Sequence, residues 1–241
     1  MRNIQLIIQA RMTSSRLPGK VMLPLCSRPV LQVMIERLFS WRDEIIVATT
    51  NDGTEQPITE LCERLGVRYF RGETLDVLGR YYHAASEFGA DDSTTVVRLT
   101  SDCPLIDDDL TSRVIAEFSQ GQFDMVSLGP HSGYPRGLDC CAFSYTLLKK
   151  THHQAFYPAD REHVTLGMAK FGDLRTKILS AGKDLSNYRL TLDEQDDYKA
   201  IMAIYNMFMD RIDFSFDELI ETLERNPQLV AMNEHVKQKE V

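Results

Sequence analysis

Cysteine is sparse in this chain, no apolar run is long enough to cross a bilayer, and no acidic residue precedes Glu36. Each absence excludes something. The five cysteines (Cys26, Cys62, Cys103, Cys140 and Cys141) are odd in number and scattered, and none forms a Cys-x-x-Cys pair. Neither a disulfide framework nor a zinc ribbon is read from them, and a reducing compartment fits best. No stretch approaches the roughly 18 apolar residues of a spanning helix. The opening run 4–8 is interrupted by Gln5 and followed by Arg11, too short for a secretory segment. A cytoplasmic protein with no membrane partner is the expectation. Gly-x-x-x-x-Gly-Lys-[Ser/Thr], Gly-x-Gly-x-x-Gly and Gly-x-Ser-x-Gly are all missing, so a Walker loop, a dinucleotide fingerprint and a serine-hydrolase elbow have no support.

What is present describes a globular enzyme. Of 241 residues, 43% are hydrophobic and 26% charged, enough for a sizeable core and too ordinary for disorder. A net charge of −8 argues against a nucleic-acid partner. Within that acidic chain, residues 1–35 carry Arg2, Arg11, Arg16, Lys20 and Arg28 with no acid, where the average density gives about five. An anion site near the N-terminus is the natural reading.

Strands are expected at 4–8, 44–49, 67–70 and 94–100, separated by helices at 29–39, 55–65 (stopped by Gly66) and 76–88. This alternation predicts βαβ units, hence an α/β fold with a mostly parallel sheet and helices on both faces. From about 121 to 188 the pattern loosens, with one strand near 138–143, and reads as a small lobe inserted over the sheet of a single 1–241 domain. A strand at 188–193, helices at 194–209 and 216–225, and a polar, mobile end after 226 complete the reading. Met202, Met207 and Met209 are read as core or interface packing.

Three segments carry chemistry. In Arg11-Met-Thr-Ser14-Ser-Arg16-Leu-Pro18-Gly-Lys20, three cations and three hydroxyls follow a buried strand on a loop bent by Pro and Gly. Backbone N–H groups of such a loop cradle a polyphosphate that Arg and Lys neutralise. In Ser101-Asp102-Cys-Pro104-Leu-Ile-Asp107-Asp108-Asp109, Asp102 ends a parallel strand, where a carboxylate can hold Mg²⁺ beside a triphosphate or simply cap a turn. The Asp107–Asp109 run reads as a helix cap. Asp193 offers a second carboxylate, with helix capping as its ordinary alternative. Arg136 and Arg189 are candidates for a substrate carboxylate, with surface salt bridges as the equal alternative. His152, His153 and His163 show no ligand spacing and read as exposed or structural, apart from His163 as a substrate-site candidate.

Residues 9–20 resemble the Arg-x-x-Ser-x-Arg-x-Pro-x-Lys signature of the CMP-sugar synthetases, the cytidylyltransferases that include the CMP-Kdo and CMP-sialic acid enzymes. Residues 99–107, Arg161-Glu-His-Val-Thr165 and the block 189–198 resemble later motifs of its spore coat polysaccharide (SpsF) branch. The likeness covers about residues 4–200. It implies a Rossmann-like nucleotidyltransferase sheet, dimeric through the inserted lobe, that joins CMP from CTP to a sugar acid. It assigns catalysis to Arg11, Lys20, Asp102 and Asp193, and Mg²⁺ to Asp102 and Asp193. With it, the nucleotide is expected on Ala10, Arg11, Ser14, Arg16, Lys20, Arg71, Arg80 and Asp102, and the acceptor on Asp139 and His163 together with the arginine candidates Arg136 and Arg189 named above. One departure stands out: Cys141 occupies the place after Gly137-x-Asp139 where relatives tend to carry an acid. A sugar-1-phosphate nucleotidyltransferase using another nucleotide, a glycosyltransferase and a non-catalytic nucleotide-binding subunit remain open alternatives.

Overall fold

A computed structural model describes residues 3–170 and 173–238. Four strands, β1 (Ile4–Gln9), β4 (Ile45–Thr50), β5 (Arg68–Gly72) and β6 (Thr95–Thr100), run parallel in the spatial order β5-β4-β1-β6. A short hairpin, β2 (Pro24–Leu25) with β3 (Arg28–Pro29), lies between β1 and the first helix, α1 (Val30–Arg37). Helices α2 (Gln56–Leu65) and α3 (Val77–Glu87) connect the parallel strands. Gly66 closes α2 with φ 65, the left-handed conformation that stops a helix most easily at glycine.

The strands read as nearly continuous apolar runs because both faces are covered. Leu6 and Ile8 join Val47 and Leu99 under α1, α2 and α4 (Asp108–Ser119). Ile7 joins Ile46, Ala48 and Val96 under α3 on the opposite face. Burying each such side chain contributes about 1.5–3 kcal/mol, so a one-residue slip of β1 would be prohibitive. Asp107 caps α4 as expected, accepting a hydrogen bond from Leu110 N at 2.8 Å.

The segment expected as an inserted lobe contributes to the same sheet. It supplies β7 (Met125–Leu128), β8 (Cys140–Ser144) and β9 (Thr176–Ile178), extending the order to β5-β4-β1-β6-β8-β7-β9. Strand β8 is antiparallel to both its neighbours. Between β8 and β9 come α5 (Tyr145–Gln154), α6 (Pro158–Glu162) and α7 (Thr165–Ala169), whose apolar residues join the α3 face. A third cluster packs α8 (Gln195–Met207), α9 (Phe216–Arg225) and α10 (Pro227–Ala231) against Val30 and Val33 of α1 and against Leu190 and Leu192.

Three expectations need correcting. Residues 188–193 form no regular strand; they make only an isolated bridge between Arg136 and Arg189. The reason is that their hydrogen bonds are divided: Leu190 N donates to Arg136 O and Leu192 N to Asp102 O, both at 2.7 Å. Gly137 permits this approach, since a Cβ there would lie 2.4 Å from the Leu190 carbonyl carbon. Of the end after 226, residues 227–238 are not a free polar tail, because Leu229 and Val236 are buried and Asn233 donates to Arg189 O and Asp197 Oδ1, while residues 239–241 lie outside the described residues. Met202, Met207 and Met209 are exposed, which removes the core reading for them.

Candidate active site

Strands β1 and β6 part company at their carboxyl ends: β1 leads through α1 to one side of the sheet, while α3 returns the chain to β6 on the other. Such a switch point opens a crevice where ligands bind in α/β sheets. Here it holds a cavity of about 690 Å³. The loop after β1 forms one wall and is braced on itself, with Ser14 N and Gly19 N both donating to Met12 O. Its Arg11, Ser14, Arg16 and Lys20 all line the cavity.

The floor is a charge cluster drawn from distant segments. Lys20 Nζ donates to Leu192 O at 2.6 Å, Asp193 Oδ1 at 3.0 Å and Asp102 Oδ2 at 3.3 Å. Arg16 pairs with Asp193 at 3.1 Å and Glu194 at 3.2 Å. Burial alone would lower the Lys20 pKa, but Asp102 and Asp193 leave it raised. Burial alone would raise the Asp102 carboxyl, yet Lys20 and the Thr100 hydroxyl hold it below its ordinary value. The Asp193 position is secured from behind: its backbone N–H donates to Asp197 Oδ2 at 3.0 Å, and Asp197 is fully buried. Asp197 also completes a capping box with Glu194 at the start of α8, so Glu194 takes the N-cap place considered for Asp193.

The opposite wall carries Arg98, Arg136, Asp139, Glu162, His163 and Thr165. Burial and the nearby charge of Asp102 raise the Asp139 carboxyl, while a hydrogen bond from Gly137 N and the charges of Arg136 and Arg98 offset part of that. A second cavity of about 680 Å³ shares Pro130, Arg136 and Asp139 with the first.

Four sequence candidates do not line the cavity. Ala10 is fully buried and its N–H donates to Ala48 O. Arg71 is exposed and pairs with Glu55 at 3.6 Å. Arg80 is buried, and its guanidinium donates to the Glu73 and Thr74 carbonyls, pinning that loop. Arg189 makes a two-pronged pair with Asp197, at 2.8 and 2.9 Å, and a further contact with Asp193 at 3.3 Å. Committed in this way, it is not free for a substrate carboxylate; it is a positioning residue.

Arg98 is the cavity residue that sequence reasoning passed over. The signal was available: an arginine inside Thr95-Val-Val-Arg-Leu-Thr100 breaks an otherwise uncharged strand. Arg161 of the Arg-Glu-His-Val-Thr block acts indirectly. Its guanidinium grips Asp76, the N-cap of α3, at 2.6 and 3.0 Å and donates to the His152 and Ala155 carbonyls. That clamp sets α6 against α3 and brings Glu162 and His163 to the cavity. Arg161→Met is expected to cost about 1–3 kcal/mol, read as a lower urea midpoint. An unchanged midpoint would dismiss the clamp. His152 stacks on Tyr82 at 4.3 Å, and burial and Arg161 push it down to about 4, so it is neutral near pH 7. No group of three or more metal-ligating side chains occurs among the described residues, and no helix among them is long and apolar enough to cross a membrane.

Similar proteins place this arrangement. The cytidylyltransferase family matches residues 5–230. The spore coat polysaccharide biosynthesis protein SpsF of Bacillus subtilis is 34% identical, with 97% of this chain and 99% of that protein covered. The 8-amino-3,8-dideoxy-manno-octulosonate cytidylyltransferase of Shewanella woodyi is 35% identical over 53% of each chain. A solved cytidylyltransferase from Leptospira borgpetersenii superposes with a TM-score of 0.89 at 30% identity, over 100% of both chains. The chain therefore belongs to the cytidylyltransferase family, and it is a nucleotidyltransferase with the α/β fold of that family.

Proposed function

We propose that this cytidylyltransferase transfers CMP from CTP to a hydroxyl of a sugar acid, of the octulosonate or sialic acid kind, for surface polysaccharide biosynthesis. The observation that carries the reading is the meeting of Asp102, Asp193 and Lys20 on the floor of a cavity rimmed by Arg11 and Arg16. The names of the Shewanella and Bacillus relatives support the acceptor class and the pathway type.

The acceptor oxygen bonds to the α-phosphorus as the bond to the β-phosphate oxygen breaks, and pyrophosphate leaves. Arg11, Arg16 and Lys20 offset the charge gathering on that leaving group. Asp139, with its raised carboxyl, is the side chain placed to take the hydroxyl proton. Catalysis is chiefly positioning and electrostatics.

The floor also fits a divalent cation. Asp102 and Asp193 bring two carboxylates together there, each with a second oxygen not bonded to Lys20, and carboxylate oxygens are the donors Mg²⁺ takes. Asp102 and Asp193 would hold it. When bound, it supplies charge neutralisation to phosphate oxygens. We further propose that the enzyme works in the cytoplasm as a homodimer through the segment 121–188, where Phe156 and Tyr157 form an exposed apolar face.

The test is pyrophosphate release with CTP, UTP, GTP and ATP, with Mg²⁺, across a panel of sugar acids and sugar 1-phosphates. Release with CTP and a sugar acid, reduced about 10³-fold or more in Asp102→Asn, is the expected result. Release with a sugar 1-phosphate and another nucleotide would replace this reading, and release of free nucleotide from a nucleotide sugar would point to a glycosyltransferase.

A further inference from the structure

Arg98 is the charged residue of a strand in which Val96, Val97 and Leu99 are fully buried. In the β6–β8 ladder it stands directly opposite Cys141, and on its other side it neighbours Ile7 of β1. Neither neighbour can neutralise it. The Cys141 thiol is pushed up to about 12 by burial and stays protonated near neutral pH. The Arg98 guanidinium makes no ion pair or hydrogen bond among the described residues, and its Nε is buried with no partner. A half-buried cation in that condition is costly to the fold, and among the described residues only the more distant charge of Asp139, with no ion pair, offsets part of the cost.

The guanidinium lines the cavity with Arg136 and Asp139, and both arginines act on the Asp139 carboxyl. The cations of the β1 loop line the same cavity but have partners or neighbours of their own. Lys20 and Arg16 are held by Asp193, and Arg11 acts on Arg80 under α3. Arg98 and Arg136 are thus lining cations that the described residues leave without an ion pair to Asp193, in the same cavity as the Asp102 floor.

We propose that Arg98, with Arg136, is the subsite for the carboxylate of the acceptor, and that Cys141 sets this specificity by leaving Arg98 without a cross-strand counterion. An acid at 141 would face Arg98 across the ladder, close an ion pair and withdraw the guanidinium from the ligand. With a neutral residue there, the acceptor supplies the missing charge. The proposal rests on the sugar-acid reading above and adds the residues that recognise the acid.

The experiment uses the sugar acid giving the fastest pyrophosphate release, with Arg98→Met and Cys141→Glu in the full-length enzyme. Both variants are expected to raise the acceptor KM about 30-fold or more, with the CTP KM changed less than about 3-fold, the size of losing one charged hydrogen-bonding partner. The methyl ester of the same acid should lose its advantage in the wild type and be indifferent to Arg98→Met. An unchanged acceptor KM in Arg98→Met overturns the proposal. A rise confined to the CTP KM also overturns it, and assigns the anion to the nucleotide phosphates.

If no sugar acid is accepted, the sugar-acid reading falls by itself, and the unpaired state of Arg98 is read from stability. Cys141→Glu should then be tolerated in the wild type and much more damaging beside Arg98→Met, a coupling between two facing residues. Additive losses in that cycle overturn the proposal.

Discussion

Lys20→Met is expected to lower kcat/KM by about 10²–10³-fold while leaving the folded structure intact by circular dichroism. Lys20 touches both floor carboxylates, so its loss removes a charge facing the leaving pyrophosphate and also releases Asp102 and Asp193 from their shared partner. The effect on stability has a sign that separates this account from simple loss of packing. In the wild type Asp102 lies below its ordinary carboxyl value, so its contribution is present above about pH 4 and is lost as pH falls through the folded value. Lys20 itself is raised, so its contribution is full below about pH 10 and is lost only as pH climbs through the folded value. Without Lys20, burial raises the Asp102 carboxyl instead, and its charge becomes a penalty at neutral pH that protonation relieves. The stability gap between wild type and Lys20→Met should therefore be largest near pH 7 and narrow as pH falls toward 3. A constant gap, or full turnover in the variant, would contradict the assignment.

The parallel half of the sheet was legible because its signal is local. Residues 4–8, 44–49 and 94–100 are short, largely apolar runs, and Gly66 announces the end of a helix; the structure moves these boundaries by only one or two residues. The loop cations were legible for the same reason, since a strand followed by Arg11, Arg16 and Lys20 carries its chemistry within ten residues. What sequence could only conjecture was convergence. Asp102 and Asp193 meet because Leu192 N donates to Asp102 O, a bond between segments on either side of β7, β8 and β9. The 188–193 segment misled because its alternation mimics a strand, while its partners are two separate loops. Arg98 was hidden by its setting: only the register opposite Cys141 shows that no acid faces it across the ladder. For Arg189 the sequence left a substrate contact and a salt bridge equally open, since its commitment to Asp197 depends on how α8 begins.

Arg189→Met should produce the largest loss of stability among the substitutions considered, about 3–5 kcal/mol and a melting temperature lower by about 10 °C. The reason is the state in which it leaves Asp197. That carboxylate is fully buried and receives Arg189 through two nitrogens, the backbone N–H groups of Asp193 and Glu194, and Asn233 Nδ2. Burial opposes its charge, but the hydrogen bonds from Arg189 and Asn233 keep its carboxyl below the ordinary value. Removing the guanidinium leaves a buried anion with neutral donors alone. Arg189→Lys should recover only part of the loss, because a point charge cannot reproduce the two-pronged geometry. The double variant Arg189→Met with Asp197→Leu should regain much of the stability, since both charges leave together. It should not regain activity, because Asp193 then lacks both the backbone acceptor and the guanidinium that hold it toward Lys20. Stability and turnover would thus separate in one pair of variants. If the double variant recovered turnover along with stability, the Arg189–Asp197 pair would be supporting only the fold, and Asp193 would owe its position to the β1 loop.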